Sequence, residues 1–568
     1  MMSWGSKRAQ QIIRALWLAV LAWHGRAPSV DAFLSRGAWF TRAVEGEDGA
    51  VYVGSVNHHV YAFYPQPTCA GGQDAGTVCT SDAECRDGIC TRVKWILRTK
   101  NDVYADPVIA PSASSAPGTI FVGSTDRYLY AIDPEPDASC VDGNRELGCF
   151  KWTAKTGVMV ARLLIRLGSG AAPDTLFVAT RTSYNNLYAF NLDSPDPRWV
   201  MPMPGGLRFN PLLTGDGRTL YLGSNLRGLF AVDVAGDNHA LLWALYYPTC
   251  PSPAETCQFL RSGDLGPDGT IYAGAEGNVD TAKVVALAPN ARKCSNAPSV
   301  SCVSDADCPV GGNCKNTLNM CSGSPNAGQS CTSAAECPGG ECQPSPCVEP
   351  LGPCDEIARC DFCLRWDYPL QAERRSGTVL GLDGSTVFRG TRHERSIEAI
   401  GATDGVQKWS LDVGGPVESL AAVHPGGRVR FGSADPLAGV VFIGVTAGHG
   451  NDQGTFYAIA PCDPAGSDPP VCPDTSCAFP KILWTFSRGA EFRTTPGFSR
   501  DLETVYTGDD LGKQTFYALA VDDGRVEWCY DTTQDFRLPN GQSCDRPDRP
   551  PCCEPITPNT TITIPACG

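Results

Sequence analysis

Histidine and methionine are scarce in this chain: seven His and six Met among 568 residues. Few side chains can therefore take and give protons near neutral pH. The usual catalytic motifs are missing as well. There is no Gly-x-Ser-x-Gly elbow, no His-Glu-x-x-His, no phosphate-binding Gly-rich loop and no Cys-x-x-Cys-His haem site. Basic residues are outnumbered, 46 Lys and Arg against 61 Asp and Glu, for a net charge of −15. That balance excludes a nucleic-acid backbone or an anionic membrane surface as the expected partner. Beyond the N-terminus no apolar run reaches membrane-spanning length.

The N-terminus reads as an export signal. Lys7, Arg8 and Arg14 precede the apolar stretch Ala15 to Trp23, and Val30 and Ala32 offer small residues for cleavage between Ala32 and Phe33. No Cys stands near that cut, so a lipid anchor is not expected. The mature chain is expected to be periplasmic or extracellular, to lack a transmembrane segment and to be a monomer.

What the chain has in abundance is Gly (60), Pro (45) and Cys (28). An even cysteine count in an exported chain reads as disulfides. Gly and Pro punctuate a phrase repeated eight times, of which "GTIFVGSTDRYLYAI" (118–132) is the clearest copy. The other copies begin at Gly49, Asp174, Arg218, Gly269, Ser385, Gly439 and Glu503. Each copy alternates apolar and polar residues, breaks at turn residues and alternates again, the pattern of a β-hairpin. A Trp follows every hairpin: Trp95, Trp152, Trp199, Trp243, Trp366, Trp409, Trp484 and Trp528. A further strand precedes several hairpins, as in "ADPVIAP" (105–111). Four-strand units in such number close radially, so the fold expected is all-β, an eight-bladed β-propeller of four-stranded blades with disulfide-rich insertions.

The repeat resembles the quinoprotein-type, PQQ-like propeller repeat, found in PQQ-dependent dehydrogenases and in the barrel-assembly lipoprotein. The resemblance rests on "AIGATDGVQKW", with Ala399, Gly405 and Trp409, and on "ALAVDDGRVEW", with Ala518, Gly524 and Trp528. It covers roughly residues 33–530. It implies that each Trp is a docking residue between blades rather than a reactive group. A buried indole removes up to ~250 Å² from water and can donate its N–H to a carbonyl. In the dehydrogenases PQQ, with Ca²⁺, stacks between a Trp and a ring of adjacent cysteines. Here the adjacent pair is Cys552–Cys553, past the last blade, and the Trp not assigned to docking is Trp39.

The insertions repeat too. Cys69–Cys90, Cys294–Cys314 and Cys321–Cys342 each hold four cysteines separated by seven to nine, then five, then four or five residues. They resemble the small Cys-rich repeats of secreted bacterial proteins. With so few apolar residues, such modules need two disulfides each. A zinc site would call for shorter paired spacings. Cys140 with Cys149 and Cys250 with Cys257 are candidate local bridges, and at least one bridge is expected between the group at 462–477 and the group at 529–567. The domain boundaries expected are 1–32 for the signal, 33–530 for the propeller with Cys-rich insertions at about 66–93 and 290–363, and 531–568 for a Cys-rich tail. All inserts between a hairpin and its Trp strand should crowd one face.

Candidate metal positions are weak. "DLGPDG" (264–269) lacks the spacing of a calcium loop, His58–His59 lie in a hairpin turn, and the acids of "SDAEC" and "SDADC" suit a solvated surface. No catalytic or metal residues are assigned. The function expected is an exported, non-catalytic propeller that binds other exported or envelope proteins or acts as a scaffold. The alternatives are a PQQ- and Ca²⁺-dependent quinoprotein dehydrogenase and a carbohydrate-binding surface protein.

Overall fold

Each repeat copy becomes the two middle strands of one antiparallel sheet. In the first, Val44–Glu45, Val51–Ser55, His59–Ala70 and Ile89–Arg98 pair in chain order. The structure is a computed structural model. It describes residues 41–70, 72–135, 149–168, 173–181, 186–225, 228–237, 239–246, 258–276, 282–289, 362–370, 377–424, 439–446, 454–460, 480–487, 491–509 and 515–531, together with the short strands of 292–350. Eight such sheets follow one another, spanning 44–98, 108–155, 164–202, 212–246, 258–369, 378–412, 422–487 and 497–531. They are the blades of an eight-bladed β-propeller, numbered here one to eight. First strands of neighbouring blades touch, as in blades five and six and in blades eight and one, so these strands line the axis and the Trp strands form the rim.

The middle strands are not half-buried. Val51–Ser55 and Thr386–Gly390 are buried at every position. Each blade is covered by a neighbour on both faces, so both sets of side chains are removed from water. The rim strand behaves differently. In Gln407–Asp412 only Trp409 is buried.

Ala and Trp of the repeat meet across one blade. Ala62 lies opposite Trp95, Ala131 opposite Trp152, Ala189 opposite Trp199 and Ala231 opposite Trp243. Blades five to eight repeat the pairing with Ala286, Ala399, Ala458 and Ala518. A bulge follows each Ala and turns the strand toward the rim. The indole then reaches into the following blade. Trp95 Nε1 donates to Pro134 O (3.1 Å), Trp152 to Leu192 O (3.2 Å), Trp366 to Ala402 O (2.9 Å) and Trp484 to Val521 O (2.8 Å). Six of the eight indoles are buried, and Trp152 and Trp528 are half-buried. Docking runs in one direction round the wheel.

The turn glycine faces the Trp of the preceding blade, not the one in its own motif. A Cβ on Gly405 would lie 2.7 Å from Trp366 Cδ2, and one on Gly524 2.5 Å from Trp484 Cε3. Both glycines have positive φ, 71° and 70°, which other residues adopt only under strain.

The first Cys-rich insertion continues blade one. The strands His59–Ala70 and Ile89–Arg98 run on beyond the blade as a long ladder that carries the module. Two disulfides, Cys69–Cys85 and Cys79–Cys90, staple it. Asp82 accepts the N–H of Cys90 (2.7 Å) and Glu84 that of Thr80 (3.0 Å), so both acids of "SDAEC" hold backbone.

In all three modules the first Cys is the strand partner of the fourth: Cys69 with Cys90, Cys294 with Cys314, Cys321 with Cys342. The residue before the first Cys pairs with the residue before the second in each: Thr68 with Val78, Lys293 with Ser301, Met320 with Ser330. One register implies one connectivity. Non-reducing peptide mapping should recover Cys294–Cys308, Cys302–Cys314, Cys321–Cys337 and Cys331–Cys342. A first-to-fourth pairing in either module would contradict this.

The second insertion also changes the strand count of one blade. Cys347–Pro350 pairs in parallel with Ala240–Tyr246, giving blade four a fifth strand where four were expected. A rim strand exposes unpaired N–H and C=O groups, and the insertion caps that edge. The signal segment, Ala32 and Phe33, Trp39, Cys140, the Cys250 and Cys257 pair, Cys552–Cys553 and the rest of the tail lie outside the described residues. Cys149 and Cys529 are both disulfide-bonded, to partners also outside them. No helix among the described residues is long and apolar enough to cross a membrane.

Candidate functional site

The chain enters every blade at the axis, so the residues just before each inner strand form a ring. The register defines them. Val44, Val108, Leu164, Leu212, Asp264, Val379, Ala422 and Gly497 each lie opposite an aromatic residue of the second strand. Two residues upstream stand Arg42, Asp106, Arg162, Asn210, Ser262, Gly377, Leu420 and Thr495. Arg162 is exposed, Gly377 is buried and the other six are half-buried, whereas the next residues Ala43, Pro107, Leu163, Pro211 and Pro496 are buried between blades. Strand direction puts this ring on the face opposite the turns that carry the Cys-rich modules.

Ring neighbours touch. A Cβ on Gly377 would sit 2.1 Å from Ser262 Oγ and 2.6 Å from Leu420 Cδ2. The Arg42 N–H donates to Asp106 Oδ1 (2.7 Å), and the Arg162 N–H donates to Asn210 Oδ1 (2.8 Å). Burial raises the pKa of Asp106, and the charges of Arg162 and Arg42 oppose that rise. Burial also lowers the pKa of Arg42, and Arg162 pushes the same way. Charge is confined to blades one to three of the ring, and blades four to eight contribute neutral residues.

Further out on the same face, blades six to eight pair their charges. The buried Glu418 carboxylate takes Arg392 Nε at 2.9 Å and Arg493 Nε at 2.9 Å, and Arg493 also reaches Glu491.

The histidines of the first hairpin do not form a chelate. His58 Nδ1 lies 3.1 Å from Asp102 Oδ1, whereas His59 is buried with Nδ1 at 2.7 Å from Asn57 O. Burial lowers the His59 pKa to about 4, with the charges of Arg98 and His58 acting the same way and the Asn57 carbonyl opposing them. A base with a depressed folded pKa contributes full stability above its unfolded value of 6.5 and loses it as pH falls toward 4. The loss expected is at most about 3 kcal/mol. Melting temperature should therefore fall more steeply between pH 7 and 4.5 in the native chain than in His59→Asn. Parallel curves would show that His59 is not responsible.

"DLGPDG" is a turn. Gly266 N donates to Thr270 O (2.8 Å), while Asp268 binds the Thr270 N–H (3.0 Å) and Arg365. The close approach of the Cys69, Cys79 and Cys85 sulfurs reflects the two bridges of that module. The ring was missed in the sequence because its members share a position but no residue type. The repeated strand pattern two residues downstream was the available signal.

No protein-family model matches the chain, and no curated protein sequence matches it. Among solved structures, BamB from Moraxella catarrhalis aligns over 85% of this chain and 91% of its own, with 10% sequence identity and a TM-score of 0.40.

The Trp and the adjacent cysteines that the resemblance offers for PQQ, Trp39 and Cys552–Cys553, lie outside the described residues. The eight Trp side chains of the described residues all stand on rim strands, each opposite an Ala of its own blade, and none is left as a floor beside the axis.

Proposed function

We propose that the chain is an exported, non-catalytic propeller that presents its turn-bearing faces to other exported or envelope proteins. The observation that carries this reading is the use of the indoles. Both faces of the blades and the repeated Trp are committed to blade-on-blade packing, which leaves the two rings of turns and the outer edge of the rim as the surfaces available to ligands. Rigid rings of loops suit protein recognition. The reading includes a signal of residues 1–32, a monomeric mature chain from Phe33, and a tail bridged to blade seven.

The test has two arms. Mature protein mixed with PQQ and Ca²⁺ should give no quinone absorbance shift and no alcohol-linked dye reduction. Cross-linking in the exported fraction should trap one protein partner in stoichiometric amount. A quinone shift together with dye reduction would instead make the chain a dehydrogenase.

A further inference from the structure

We propose that the axial ring is a carboxylate seat: Arg42 and Arg162, on either side of Asp106, receive an acidic side chain or chain terminus of a partner polypeptide. This rests on the protein-binding reading above and names the chemistry of the ligand.

Two arginines stand on either side of one aspartate in the ring, which leaves one positive charge there. Asp106 does not neutralise either by contact. Its Oδ1 is taken by the backbone N–H of Arg42, and no ion pair within 4.0 Å joins it to either guanidinium among the described residues. Arg42 and Arg162 are close enough to act on one another electrostatically, and both act on Asp106. Bringing like charges together beside protein is unfavourable unless an anion joins them.

The surroundings extend the same field. Arg181 lies just beyond the second strand of blade three, Thr175–Ala179, and its carbonyl would lie 1.9 Å from a Cβ on Gly206 at the entrance to blade four. Arg208 follows two residues later. The Nε atoms of Arg181 and Arg208 are buried without a hydrogen-bond partner among the described residues. On the opposite half of the same face the arginines are committed to Glu418 and Glu491. The other half of the ring, with Ser262, Gly377, Leu420 and Thr495, is neutral and adds no competing charge. A guanidinium fork matches a planar carboxylate with two parallel N–H bonds. A single surplus charge suits a monoanion, and the chain's net charge of −15 disfavours long polyanions.

The test is fluorescence anisotropy of the mature protein with a labelled Asp- and Glu-containing hexapeptide, its Asn, Gln and amide counterpart, acetate and inorganic phosphate. Saturable binding is expected for the acidic peptide alone, with partial competition by acetate. Arg42→Gln and Arg162→Gln should each weaken it by at least about tenfold. Asp106→Asn should tighten it, since the amide oxygen can still accept the Arg42 N–H. Arg86→Gln, in the module on the other face, should change nothing. Where Arg42→Gln melts early, the exposed Arg162 decides. Equal affinity in the native protein and Arg162→Gln, weaker binding by Asp106→Asn, or preference for phosphate would overturn the proposal, and acetate binding without peptide binding would overturn its polypeptide part. A cross-linked partner kept by the Arg42→Gln, Arg162→Gln double variant would sink the seat and leave the protein-binding reading intact.

Discussion

Phe63→Ala is expected to cost about 3–5 kcal/mol and to lower the unfolding midpoint in urea accordingly. Phe63 is fully buried where the ring closes. Blades one and eight are each built from four strands consecutive in the chain, so among the described residues no strand is exchanged between them to lock the wheel. Closure depends on side chains. Phe63 stacks on Phe516 (5.6 Å, 10°) and lies 5.5 Å from Trp528 and 5.1 Å from Tyr530. Around this cluster, Arg92 covers the Trp528 ring at 5.2 Å, Tyr506 Oη donates to Glu45 (3.1 Å), and a Cβ on Gly497 would meet Ala43 O at 2.3 Å. Removing the ring of Phe63 takes three aromatic contacts from the one interface that chain connectivity does not enforce. Phe121→Ala, between blades two and three, removes a phenyl group of similar burial where the chain holds the blades together. The seam variant should expose additional protease sites near both ends of the propeller well below its melting temperature, and the Phe121 variant should not. Equal proteolysis of the two would show that the seam is no weaker than the other interfaces.

Gly524→Ala should destabilise by about 2–4 kcal/mol, far more than a surface glycine change. Two penalties coincide. The backbone at φ 70° disfavours any Cβ, and that Cβ would press on the Trp484 ring at 2.5 Å. The ring cannot retreat, since Trp484 Nε1 is bound to Val521 O at 2.8 Å on the same turn. Gly236→Ala is the control, with nothing within 4 Å and no positive φ. It should be neutral or slightly stabilising, because alanine narrows the unfolded ensemble. Chemical denaturation of the two variants compares them directly. A Gly524→Ala protein as stable as the control would mean that the indole does not rest on that turn.

The blade count was legible in the sequence because every blade repeats the same physical problem. Each needs a small residue opposite its Trp, and Ala stands there in all eight. The partner of the motif glycine was not legible. Gly405 and Trp409 are neighbours in the chain, but the indole on Gly405 is Trp366 of the preceding blade, a contact that exists only once the blades are stacked. Alternation alone does not tell a covered sheet from a half-covered one, and stacking buries both faces. The fifth strand of blade four could not be anticipated, because Cys347–Pro350 carries no strand pattern of its own and pairs in parallel with a strand about a hundred residues earlier. Arg42 and Asp106 are separated by a whole blade and look like unrelated surface charges until the inner strands converge on the axis.

Indole N–H exchange tests the central claim most directly. A mature chain labelled with ¹⁵N at tryptophan and transferred to D₂O should keep at least four indole N–H signals for hours, those of Trp95, Trp152, Trp366 and Trp484, which donate to carbonyls of the next blade. Loss of every indole signal within minutes would mean that the side chains are not docked, and the closed wheel of blades would have to be abandoned.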